Sequence, residues 1–164
     1  MAVASSEPSL TAHGPTSVRG TEESAVFEIG SRTVRQVRYA DRGTLVYAFE
    51  LANEGWIPVT VTGLAPLAVK PRLFRYLALA DADGAERFTI PAGERVPVEV
   101  RMLMHACESL SARAGSFATE VALRTERAGV LDDVVALRFP EEVHTGSPRE
   151  AFCPDATATS RPPG

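Results

Sequence analysis

The chain has 164 residues and a mass of 17.6 kDa, with 17 Lys+Arg against 21 Asp+Glu, a formal charge of −4. That length suits one domain with its own hydrophobic core, without recourse to a metal or many disulfides. The mild acidity argues against a nonspecific nucleic-acid or anionic-membrane binder, which would carry a basic face, and no run approaches the ~20 apolar residues of a membrane-spanning helix.

Residues 1–23 are rich in Ser, Thr, Pro and Gly and poor in bulky apolar side chains, so they are expected to be a disordered lead-in. They lack the charged and apolar regions of a signal peptide. From Ser24 the texture changes to short β-rich segments. Ala25–Ile29 and Arg32–Tyr39 fit edge strands. In Thr44–Ala52, the side chains Leu45, Tyr47, Phe49 and Leu51 recur with a period of two, which places all four on one face of a strand. Asn53-Glu54-Gly55 ends that strand as a turn of residues that tolerate positive φ, and Trp56–Leu64 follows with Ile57, Val59 and Val61 alternating.

Leu73–Ala80 and Phe88–Ile90 are expected as further strands, separated by an Asp83-Gly84 turn. Pro91-Ala92-Gly93-Glu94 is a second turn. It opens Val96–Ala106, in which Val96, Val98, Val100, Met102 and Met104 share a face opposite Glu99, Arg101, Leu103 and His105. Leu103–Ala114 could form a short helix; nothing else sustains a helical period. Ser116–Arg124 and Val130–Phe139 alternate again, the latter through Val135, Leu137 and Phe139. The sum is an all-β chain, a single antiparallel β-sandwich of about seven to nine strands spanning residues 24–140. From residue 141 to 164 the chain is expected to be a polar, Pro-rich tail.

Two cysteines, Cys107 and Cys153, permit one disulfide, which would persist only in an oxidising compartment and would tie that tail back to the sandwich. Sixteen of the seventeen basic residues are Arg, and Asn53 and Gln36 are the only side-chain amides. This skew matches GC-rich codons, so it is read as genomic bias and not as an anion site.

The segments Phe49–Gly55 followed by Pro58–Gly63, and Ile90–Glu94 followed by Val96–Val100, resemble the strand and turn style of bacterial immunoglobulin-like sandwiches. Many of these are uncharacterised envelope proteins of GC-rich, actinomycete-type bacteria. Cys153-Pro154 also fits that group. The resemblance implies an immunoglobulin-like fold and an extracytoplasmic location. It carries over no catalytic residue, because one architecture hosts many functions.

The soft ligands Met102, Met104, His105 and Cys107 are the residue types that select copper. On a regular strand, however, Met102 and Met104 face away from His105 and Cys107, so core methionines plus a disulfide cysteine are the simpler reading. A zinc set of His105, Cys107, His144 and Cys153 has the right count without the close spacing of structural sites. Asp81-Ala82-Asp83-Gly84 echoes the opening of a calcium loop but runs into a strand, and so reads as a hairpin turn. No nucleophile elbow, phosphate loop or catalytic motif is present in the sequence, so the expectation is a noncatalytic module without a cofactor. It would act by protein–protein contact or as a structural spacer, with no nucleic acid and no membrane insertion. Trp56 is its one candidate binding residue, either an exposed anchor or a cap on the core.

Overall fold

A computed structural model describes residues 8–20, 22–40, 44–67, 74–104, 117–144 and 151–152. Eleven strands run in chain order: β1 (Leu10–Arg19), β2 (Glu22–Ile29), β3 (Arg32–Ala40), β4 (Thr44–Asn53), β5 (Val59–Ala65), β6 (Phe74–Asp81), β7 (Phe88–Ile90), β8 (Arg95–Met104), β9 (Phe117–Arg127), β10 (Leu131–His144) and β11 (Ala151–Phe152). They form a four-stranded sheet in the order β1-β4-β8-β6. A seven-stranded sheet takes the order β11-β3-β10-β9-β5-β7, with β2 also on β3. The expected all-β sandwich is therefore the fold, with β2 to β10 matching the nine segments read from periodicity. Among the described residues no helix is long and apolar enough to cross a membrane.

The core lies between the sheets. Leu45, Tyr47, Phe49 and Leu51 of β4 are all buried, as their period-two spacing requires. They meet Val98, Val100 and Met102 of β8, and Val121, Leu123, Leu137 and Phe139 from the opposite sheet. Tyr47, Phe49 and Phe139 form a tilted aromatic trio with ring centroids 5.2–5.6 Å apart. Each open side of the sandwich carries a polar strap. On one, the Tyr76 hydroxyl of β6 donates to the Glu120 carbonyl of β9 at 2.8 Å; on the other, Arg35 of β3 donates to Thr16 of β1 at 2.9 Å.

Four expectations are corrected. Within the supposed lead-in, residues 10–19 are strand β1, paired antiparallel with β4 from Leu10↔Asn53 to Arg19↔Val46. Only Leu10 of this strand is fully buried, so its ladder is visible in the backbone and not in hydrophobic periodicity. It crosses to the other sheet through Gly20, at φ +80, where a Cβ would sit 2.2 Å from the Thr44 carbonyl oxygen.

At the other end, the tail boundary at residue 140 moves. Strand β10 continues to His144, because Pro140 falls in the register break between Arg138 and Val143, where no ladder N–H is required. Beyond the break the strand pairs parallel with β3, and β11, inside the supposed tail, also pairs parallel with β3. The seven-stranded sheet is thus mixed and not purely antiparallel. Finally, β3 is an interior strand flanked by β2 and β10, where an edge position was expected. The possible helix in 103–114 falls largely on residues outside those described.

Candidate interaction surface at one end of the sandwich

Asn53, the last residue of β4, is buried and organises the loop that follows. Its amide nitrogen donates to the carbonyls of Ile57 at 2.9 Å and Ile90 at 3.0 Å, and its Oδ1 accepts the Gly55 N–H at 3.0 Å. Its backbone N–H donates to the Glu94 carbonyl and its own carbonyl accepts the Gly93 N–H, both at 2.9 Å. The Glu54 N–H donates to the Ser9 carbonyl at 2.8 Å. One residue therefore clamps residues 53–57, the end of β7 and the β7–β8 turn into a single unit.

Asn53 and Gly55 are not in the left-handed region, so the loop depends on the amide's hydrogen bonds and not on the positive φ expected from sequence.

That unit holds Trp56 in water. Its side chain is 83% exposed, which excludes the core-cap alternative. Val130, at the β9–β10 turn, is 79% exposed. Both lie at the same end of the seven-stranded sheet. Val59 pairs with Arg127, Trp56 precedes Val59 by three positions, and Val130 follows Arg127 by three. Pro58 and Pro91 are exposed there as well.

Polar groups rim this apolar end. The Glu54 carboxylate accepts the Thr11 hydroxyl at 3.0 Å and lies 3.6 Å from His13 Nε2. Glu94 and Asp132 are exposed. Arg127 is buried with its Nη2 donating to Asp133 at 3.1 Å, and Arg95 approaches Glu50 at 3.7 Å.

The other sequence candidates are placed as follows. Met102 is 1% exposed and packs in the core. Met104 ends β8 opposite Phe74, and its side chain is outside the described residues, as are His105, Cys107 and Cys153. His144 is half-buried at the end of β10. Among the described residues no group of three or more His, Cys, Asp or Glu could hold a metal ion. Asp81 folds onto its own turn, its Oδ1 accepting the N–H groups of Asp83 and Ala85, both at 2.9 Å.

A groove of about 340 Å³ on the outer face of the seven-stranded sheet is lined by Thr62, Arg124, Asp132 and Val134.

No protein-family model matches the chain, and no curated protein does. Among solved structures it is similar to the cupredoxin domain of amoB from Nitrosocaldus yellowstonii, at 12% identity and a TM-score of 0.30, over 63% of this chain and 60% of that one. The chain thus spans about three-fifths of that domain. It is also similar to the X-ray structure of Northeast Structural Genomics Consortium target SoR45, at 11% identity and a TM-score of 0.32, over 81% of this chain and 86% of that one.

Proposed function

We propose that this chain is a noncatalytic, immunoglobulin-like envelope module that works by protein–protein contact, with Trp56 as its anchor. The observation that carries the reading is the combination of an indole 83% exposed and a loop held by every hydrogen-bonding group of Asn53. An indole kept in water forgoes the apolar burial that a core position would supply, and a partner can recover it. Because the loop is already ordered, little conformational entropy is lost on docking, which is the condition under which a single aromatic dominates an interface.

The envelope location rests on the sequence resemblance and on the possible pairing of Cys107 with Cys153. An intact mass after thiol alkylation, taken unfolded and without reductant, tests it. Unalkylated protein two protons light supports the location, and two alkylated thiols oppose it.

The contact reading is tested with Trp56→Ala. Its thermal stability is expected to stay within about 0.5 kcal/mol of the parent, as for other surface substitutions. Retention of a partner from an envelope extract should be lost. Equal retention by both proteins would sink the reading.

A further inference from the structure

We infer that the Trp56 end receives an arginine-bearing segment of a partner protein, the guanidinium stacking on the indole between Glu54 and Glu94. The inference rests on the contact reading above and assigns that contact its chemistry. Indole is the strongest aromatic acceptor for a cation placed over its face, and this face is open to water.

Three exposed carboxylates stand around it. Glu54 lies two residues before Trp56, Glu94 sits on the turn hydrogen-bonded to Asn53, and Asp132 follows Val130 by two positions. All three are exposed, and neither Glu94 nor Asp132 has an ion-pair partner among the described residues. Two of the cations at this end are already engaged: Arg95 leans toward Glu50 at 3.7 Å and Arg127 is buried against Asp133. His13, 3.6 Å from Glu54, and Arg124, which is exposed and lines a groove with Asp132, are the other basic groups nearby.

Exposed carboxylates beside an apolar anchor repel phosphates and acidic surfaces, and they steer a cationic segment inward. Arginine fits better than lysine because its planar fork can stack on a ring while its N–H groups reach carboxylates on either side.

Trp56 is the only tryptophan of the chain, so its emission reports this site alone. The full chain is titrated with a blocked Gly-Arg-Gly-Arg-Gly peptide and with its lysine and glutamate counterparts. The arginine peptide is expected to give a saturable blue shift and quench, several-fold weaker with lysine and absent with glutamate. The Glu54→Gln/Glu94→Gln double variant should bind the arginine peptide about tenfold more weakly, because it removes the charge from two hydrogen-bond acceptors at an exposed site. Glu94→Gln alone, which leaves the Thr11 bond intact, should show part of that weakening.

An equal response to the glutamate peptide, no saturable response up to millimolar arginine peptide, or undiminished binding by the double variant overturns the inference. The two proposals fail separately. A partner whose capture is lost with Trp56→Ala but is indifferent to the carboxylate variants leaves the contact reading standing and removes the cationic partner.

Discussion

The Arg35 guanidinium of β3 hydrogen-bonds the Glu141 carboxylate of β10, and both side chains are buried although the residues stand 106 positions apart. Arg35 also donates to Thr16 of β1, so one guanidinium joins three strands from two sheets. Removing one member of such a pair leaves a charge in a medium that cannot solvate it. Glu141→Gln is expected to lower the unfolding free energy by roughly 3–5 kcal/mol, measured by urea denaturation. The double variant Arg35→Met/Glu141→Leu should recover most of that loss. A double variant no better than the single one would show that the pair is more than a balanced burial.

Asn53 carries a comparable share of the opposite end. Asn53→Ala would strand the Ile90 and Ile57 carbonyls and the Gly55 N–H. The expected cost is roughly 2–4 kcal/mol, since each orphaned group in a buried or half-buried place costs about 1–3 kcal/mol. Trp56 anisotropy should fall in the same variant while the sheets persist, because the loop loses its clamp. Unchanged anisotropy would mean that the loop is ordered by its backbone contacts alone.

The β9–β10 turn places two residues in the left-handed region, Ala128 at φ 54 and Gly129 at φ 71, closed by the Val130 N–H on the Arg127 carbonyl at 3.2 Å. Glycine adopts this conformation freely, whereas alanine carries a penalty of about 1–2 kcal/mol that asparagine partly escapes. Ala128→Asn should raise the stability by about 0.5–1 kcal/mol and Gly129→Ala should lower it by about 1–2 kcal/mol. Thermal melts of the two variants shifting in the same direction would contradict this account.

Tyr47 is fully buried and its hydroxyl has no hydrogen-bond partner among the described residues. Burial first, and then the negative charge of Glu141, holds its ionisation well above the ordinary tyrosine range. Tyr76 is raised likewise, by burial and then by Glu120. A raised folded-state value means that the native state keeps its proton more tightly than the unfolded chain. The associated stability is therefore complete below about pH 10, where unfolded tyrosine titrates, and is lost as pH climbs above it. Tyrosinate absorbance from these two rings should appear in step with loss of the fold. Smooth ionisation before unfolding would show that the rings are reached by water in the native state.

What the sequence could disclose here was governed by burial. Strands that present several side chains to the core, such as β4 and β8, display their period openly, and Met102 is where that period places it. Strand β1 offers only Leu10 to full burial, and β11 is two residues long, so neither carries a periodic signal. The polar, Pro-rich composition after residue 140 suggested an end; the register break that accommodates Pro140 within β10 is a property of the assembled sheet. The candidate surface was half visible. Trp56 stood out as the single tryptophan beside a turn, but the hydrogen bonds that make Asn53 its support join residues up to 41 positions apart, from Asn53 to Glu94. Nothing local announces such a connection, nor the encounter of Arg35 with Glu141.

The parallel pairing of β3 with β10 joins Val34 to Glu142, residues separated by 108 positions. A contact of that span has to wait until the intervening residues have been made, and loop closure over such a length is entropically expensive before any reward arrives. During synthesis β3 can pair locally with β2, but its other edge stays open until β10 emerges. Folding is therefore expected to be slow, on roughly the millisecond-to-second scale typical of sandwiches rich in distant pairings, a rate that stopped-flow refolding would check. Through that interval the protein carries an unpaired strand edge that other chains can add to. Its most vulnerable state is the one it passes through before β10 arrives.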